Sequence, residues 1–315
     1  MSKILFSTII LFVLSTTVFS NDKKIAYLVS DYSIPFWKIM SSGIEDEGKK
    51  LGFKVDIYNS KNLRKNEIQN MSTILNKEYD GLIISPISSS SANFILNLAN
   101  KQNIPTVISD IGTDGGEYVS YISSNNFDGA YNLGLILAKS MKEKKIDDGS
   151  VGIIAIPQKR ENGKLRTKGF VKALTENGIS TAGIKQQEDF SLEETYKHAK
   201  YFLEYYPDLK ALWLQGSDKY KGALKAIKEF KKENEVLLIC FDAEPEFLEM
   251  IPNDELVGSA MQQPYLMGKN AVNQLNNHLK GDEVQKNVSL EILAISKENI
   301  EEKLPSIKLN VLGIK

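Results

Sequence analysis

Short apolar runs recur along this chain at near-regular intervals, with helical spacing between them. The first runs fall at 25–29, 55–58, 81–84 and 106–109. Between them Ile39, Met40, Ile44 and Leu51 share one helical face. Ile68, Met71, Ile74 and Leu75 share a second, and Phe94, Ile95, Leu98 and Ala99 a third. Gly52 stands where a helix C-cap belongs, and Pro105 stands where the third helix must stop. A second series begins near Phe127. Its apolar runs are 151–156, 211–214, 236–241 and 257–261, with helical stretches at 165–174, 195–202 and 223–230. Such alternation predicts parallel sheets covered on both faces, and two series predict two similar lobes. Beyond Pro305, Ile307, Leu309 and Val311 alternate, which predicts a short edge strand.

The amino-terminal pattern differs. Lys3 precedes an apolar stretch over 4–14, and Val18 and Ser20 occupy the −3 and −1 positions of a cleavage site. This predicts a signal peptide over 1–20, cut after Ser20, because a membrane span needs about 20 apolar residues. No Cys follows the cut, so no lipid anchor is expected. The mature chain is expected in the periplasm.

Composition narrows the chemistry. A chain of 315 residues suits two α/β lobes rather than one small domain. A net charge of −1 gives no electrostatic case for nucleic acid or an anionic membrane. The single Cys240 lies in an apolar run and reads as a core thiol. His198 and His278 have no second ligand at metal spacing, so neither a metal site nor a Ser-His-Asp triad is expected. No cofactor is expected, since no G-x-G-x-x-G or Walker sequence follows a strand. The glycines at 112–116 read as a surface turn. The lysine runs at 142–145 and 228–232 read as solvated helix faces.

Ligands of open parallel sheets bind beyond the carboxyl ends of the strands. The residues there are Ser30-Asp31-Tyr32, Ser85-Pro86, Ser109-Asp110, Ser124-Asn125, Pro157-Gln158, Gln215-Gly216-Ser217-Asp218, Phe241-Asp242 and Gln262-Gln263-Pro264. They are rich in neutral hydrogen-bonding groups and carboxylates.

In order and spacing these segments match a known family. Pro35-Phe36-Trp37 follows the first strand, and 47–53 looks like the family's first helix end. The segments 80–86 and 103–110 match its third and fourth strands. Ser124-Asn125-Asn126, Arg166-Thr167-Lys168-Gly169-Phe170, Phe241-Asp242, and Gln262-Gln263-Pro264 with Gly268 follow. The chain thus resembles the type I periplasmic solute-binding proteins of the ribose/galactose class. The resemblance implies two Rossmann-like lobes joined by a three-stranded hinge. The first lobe would hold residues 21–124 and about 263–284, the second 125–262 and about 285–315. It also implies a ligand site between the lobes. Phe36 and Trp37 would form one aromatic wall and Phe190 the other. Asp110, Arg166, Asp242 and Gln262 would be the polar clamp, with Ser85, Ser124 and Gln215 as further candidates. Such a clamp suits a sugar, whose C–H faces stack on aromatic rings and whose hydroxyls pair with carboxylates and arginine. Outside the resemblance, Phe36 and Trp37 could cap the core, Asp110 could serve a turn, and Arg166 could be an ion-paired helix residue.

The chain departs from that pattern in four places. Ile111 stands where an arginine usually follows the fourth-strand aspartate. Ser85, Ile34 and Gly216 replace asparagines. These changes point to a ligand smaller or less polar than a hexose. Three functions follow. A monomeric binding protein would deliver a small sugar-like solute to an ABC permease. A receptor of autoinducer-2-like or trimethylamine-oxide-like type would instead serve a sensor kinase or chemoreceptor. A hydrolase would use Asp110 and Asp242 as a carboxylate pair; with no catalytic histidine or metal in the pattern, no enzyme is expected.

Overall fold

The computed structural model describes residues 23–314, so the signal segment lies outside the described residues. The first series gives β1 (Lys23–Val29), α1 (Pro35–Lys50), β2 (Phe53–Asn59), α2 (Arg64–Leu75), β3 (Gly81–Ser85), α3 (Ser89–Lys101), β4 (Thr106–Ser109) and β5 (Ser120–Ser124). The second gives α4 (Asn126–Glu143), β6 (Ser150–Ala155), α5 (Glu161–Glu176), β7 (Ser180–Gln186), α6 (Leu192–Tyr205), β8 (Leu209–Leu214), α7 (Tyr220–Glu229), β9 (Leu237–Phe241), α8 (Phe247–Met250) and β10 (Gly258–Met261). Then come α9 (Pro264–Lys280), β11 (Asn287–Leu290), β12 (Leu293–Ser296), α10 (Ile300–Ser306) and a π-helical turn, Ile307–Val311.

The two sheets have matching orders, β11-β5-β4-β3-β1-β2 and β12-β10-β9-β8-β6-β7. Pairing is parallel except between β10 and β12. Each sheet has an apolar cluster on both faces, so β1 and β6 are buried almost throughout. This is the doubly covered α/β pair of lobes that the alternation predicts. The chain passes between sheets three times: after β5, after β10, and between β11 and β12. β11 sits in the first sheet, so the last passage falls at 291–292, later than the expected boundary near 285.

Glycines let helices approach where the chain changes lobe. A Cβ on Gly43 of α1 would lie 2.2 Å from the Tyr265 carbonyl oxygen of α9, and one on Gly268 would lie 2.3 Å from that of Met40. Gly169 of α5 repeats the arrangement against α4, at 2.2 Å from the Phe127 carbonyl oxygen. Gly43→Ala is expected to force the pair apart and destabilise the fold by about 1–3 kcal/mol. Urea unfolding of the variant checks this, and an unchanged midpoint would contradict the close approach.

Three local expectations need correction. Ile68 is 38% exposed, and Glu67 takes its inward place with Met71 and Ile74. The buried Glu67 carboxylate is held by the Ile87 amide at 3.0 Å and by the Ser91 hydroxyl. Phe94 likewise turns outward, beneath the Arg64 guanidinium. The tail forms no strand. Ile307, Val311 and Leu312 enter the second lobe's core at helical spacing, and Leu309 stays outside.

Candidate functional site

Two aspartates are placed by the same device in the two lobes. Asp110 follows β4 and Asp242 follows β9, which hold the same position in their sheets. Both have left-handed backbones, with φ of 69° and 68°. Aspartate tolerates this region better than most residues. Each amide still donates to the neighbouring strand, Asp110 to the Ile122 carbonyl and Asp242 to the Ala260 carbonyl, both at 2.9 Å. The sharp turn at the strand end directs both carboxylates into the space between the sheets.

That space is a cleft walled by both lobes. Phe36, Trp37 and Asp110 line it from the first lobe, and Arg166, Phe190, Gln215, Asp242 and Gln262 from the second lobe and its margin. Eight of the ten sequence candidates therefore share one cleft. Ser85 and Ser124 are not among its lining residues. Ser85 is fully buried against the Tyr27 hydroxyl at 2.9 Å, and Ser124 faces the Met267 sulfur. Phe36 and Trp37 pack edge to face, with centroids 4.9 Å apart, and also close the first lobe's core. Ile111 is buried in that same core, so this departure puts no side chain on the wall, whereas Ile34 and Gly216 do line it.

Arg166 is the most constrained side chain in the cleft. It is 3% exposed. Its Nε donates to Asn126 Oδ1 at 2.8 Å and a terminal nitrogen to the Gln215 carbonyl at 2.7 Å. That nitrogen also lies 3.7 Å from Asp242 Oδ2. The guanidinium sits 3.8 Å above the Phe241 ring, a favourable cation–π position. Asp242 accepts from Gln262 Nε2 at 2.7 Å through its other oxygen.

Electrostatics follow from this burial. Desolvation pushes Asp110 up to about 6, against the pull of Arg166 and Arg160, and Asp242 adds to the rise. Asp242 is also raised by burial, with Arg166 and the Gln262 hydrogen bond opposing. At the cleft margin Glu244 bonds the Ser217 hydroxyl at 2.8 Å, and burial pushes it up to about 7.

Sequence reasoning missed Arg160, Asn162 and Gln187, which also line the cleft, as does the strand-end Asp218. Arg160 occupies the N-cap position of α5, three residues beyond the strand-end Pro157, without a capping bond from its side chain. Its guanidinium lies 5.4 Å from the Phe190 ring centroid and reaches Asn62 Oδ1 of the first lobe at 3.4 Å. Gln263 is tied to the passages between lobes: it donates to the Glu291 carbonyl at 2.9 Å and accepts from Asn310 at 3.1 Å. Among the described residues no cluster of acidic, His or Cys side chains could hold a metal ion, and no helix is long and apolar enough to cross a membrane.

Three buried side-chain atoms of the cleft have no hydrogen-bond partner: Asp110 Oδ1, Gln262 Oε1 and Arg160 Nε. Two accept and one donates. Buried polar groups are normally satisfied by protein, ordered water or a bound molecule, so this set marks where polar partners belong in the cleft.

Comparison with known proteins agrees with this geometry. The model of the periplasmic binding protein domain matches residues 25–283. The ribose import binding protein of Escherichia coli strain K12 is 27% identical over 288 residues, 90% of this chain and 95% of its own length. The D-allose-binding periplasmic protein of the same organism is 27% identical, with 83% of this chain and 86% of the relative covered. A carbohydrate transporter solute-binding protein from Agrobacterium radiobacter, solved with D-arabinose, shares the fold at a TM-score of 0.83. That pair is 21% identical over 93% of this chain and 99% of the other. The chain belongs to the periplasmic binding protein domain family.

Proposed function

We propose that this member of the family binds a small polyhydroxylated solute, a sugar or cyclitol, in the cleft between its lobes and delivers it to an ABC permease. The unpartnered trio of Asp110, Gln262 and Arg160 carries the reading. A hydroxyl both donates and accepts, so a polyol satisfies all three atoms, whereas an apolar guest satisfies none. Phe36, Trp37 and Phe190 offer ring faces to its C–H patches. Arg166 and Arg160 face Asp110 and Asp242, and Asp218 is paired with Lys219, so the charges offset and an uncharged ligand fits. The names of the ribose and allose relatives and the arabinose-bound neighbour support the same class.

In this reading residues 1–20 direct export to the periplasm. The three passages serve as the hinge, and a monomer closes on ligand before docking on its membrane partner. Ile34 and Gly216 on the cleft wall favour a second reading, a receptor for a sensor kinase, since both remove hydrogen-bonding side chains that a hexose would use. A thermal-shift and calorimetry panel of the chain from Asn21 separates the ligand classes. D-Ribose, D-allose, D-arabinose, D-galactose or myo-inositol is expected to raise the melting temperature in a saturable way. No response to any of them, with a response to a non-sugar signalling molecule, would overturn sugar delivery in favour of the receptor.

A further inference from the structure

Arg160 differs from every other cation near the cleft. Arg166, the second guanidinium there, is fixed within its own lobe, its Nε donating to Asn126 and one terminal nitrogen to the Gln215 carbonyl beside Asp242. Arg160 leaves the second lobe at the first turn of α5 and touches the first lobe through Asn62 at 3.4 Å. The Phe190 ring braces it from its own side. Its Nε is buried without a partner, and it is the only cleft donor in that state among the described residues. Opposite, in the first lobe, Asp110 Oδ1 is buried without a partner too. The rest of Asp110 is tied down, its amide to Ile122 and its carbonyl to the Tyr121 hydroxyl at 2.8 Å. The two side chains feel one another's charge but form no ion pair within 4.0 Å. An unmade donor and an unmade acceptor thus stand in opposite lobes of one cleft.

We infer that one ligand hydroxyl bridges them, donating to Asp110 Oδ1 and accepting from Arg160 Nε, which makes Arg160 a specificity-determining residue and the ligand-dependent contact between the lobes. A hydroxyl suits both ends at once. An ether oxygen can only accept and an ammonium can only donate, so each leaves one side unsatisfied. Charge assistance at both ends strengthens the pair of bonds. Because the two ends belong to different lobes, the bridge forms only when the cleft is closed. The cleft then discriminates by a single hydroxyl as well as by ring shape, since a ligand lacking it strands both groups. Ile111, buried in the core beside Asp110, presents no competing cation.

The inference rests on the polyol reading, and one experiment tests both separately. Calorimetry compares the panel sugar that binds most tightly with each of its monodeoxy forms, in the wild type, Arg160→Ala and Arg160→Lys. In the wild type one deoxy position is expected to cost tenfold or more in Kd. In Arg160→Ala the parent sugar is expected to weaken to about the level of that deoxy form, whose own Kd moves less than threefold. Arg160→Lys, which keeps a cation without the fixed fork, should restore part of the discrimination. If Arg160→Ala weakens the parent and all deoxy forms by one common factor, or weakens none, the bridge is overturned while the polyol reading stands. If the wild type binds no sugar of the panel, both fall.

Discussion

Arg166→Ala is expected to lower affinity for the best panel sugar at least 100-fold and to lower the melting temperature without abolishing a cooperative transition. Both effects have the same origin. Arg166 is buried and held by Asn126, by the Gln215 carbonyl and by the Phe241 ring, so its terminal nitrogens hold a fixed place in the cleft. A charge-assisted bond to ligand in such a site contributes about 1.5–3 kcal/mol. Removing it also leaves Asp242 without its cation, 3.7 Å away, and breaking a buried pair costs about 3–5 kcal/mol. Asp242 escapes part of that cost by taking up a proton, towards which burial already pushes it. A protonated Asp242 then presents a poorer acceptor to ligand. Arg166→Lys separates the contributions. It retains a charge near Asp242 but loses the Asn126 bond and the flat stack on Phe241, so stability should recover more than affinity. Calorimetry and circular-dichroism melts of both variants check this. Affinity within threefold of wild type in Arg166→Ala would remove Arg166 from the site.

The contrast between Arg166 and Arg160 shows what the sequence could reveal. Arg166 lies four residues before Phe170 in a helical run with clear apolar periodicity, so its place on α5 follows from spacing. Asp110, Asp242 and Gln262 follow apolar runs, and the strand-end rule brings them to the cleft. Arg160 sits in a charged stretch, Lys159-Arg160-Glu161, that looks like any solvated helix start. Its side-chain partners, Asn62 of the other lobe and the Phe190 ring, are brought to it only by the fold. Reading three residues past Pro157 instead of one would have found it. Ser85 and Ser124 mark the opposite error. Both end strands, but a serine is short, and Tyr27 and Met267 meet them inside the lobe. The strands missing from the pattern are β5, β7, β11 and β12, the last a four-residue strand whose faces alternate. β11 has four residues, and the faces of β5, β7 and β11 alternate or stay half exposed, so no continuous apolar run marks them. The tail failed for a related reason. Ile307 and Val311 suit period two and a helical turn equally, and Leu312 decides for the turn by burying beside them.

Affinity for the panel sugar is expected to fall as pH drops through about 6, by about tenfold at pH 5 and about 100-fold at pH 4, if one group governs. The governing group is Asp110. Burial raises its carboxyl to about 6, Asp242 adds to the rise, and Arg166 and Arg160 restrain it. A hydroxyl donates to the carboxylate, whereas the protonated acid offers a competing proton, so binding selects the ionised form. Stability of the unliganded protein runs the other way. Asp110, Asp242 and Glu244 all have folded-state values above those of the unfolded chain. Between the unfolded value and the folded one the native state binds more protons, so these groups favour folding at low pH. That contribution is lost as pH rises through about 6 for Asp110 and about 7 for Glu244. Ligand-free melting temperature should therefore decline over roughly pH 4–7 from these groups, while ligand-induced stabilisation grows from about pH 4 to 6. Asp110→Asn discriminates the causes, because it removes the titration and keeps the shape. Its affinity should be weak and flat with pH, and its ligand-free melt should lose the part of the decline that lies between about 4 and 6. A variant that keeps the full pH dependence of affinity would shift the titration away from Asp110, to Asp242 or to Glu244 at the cleft margin.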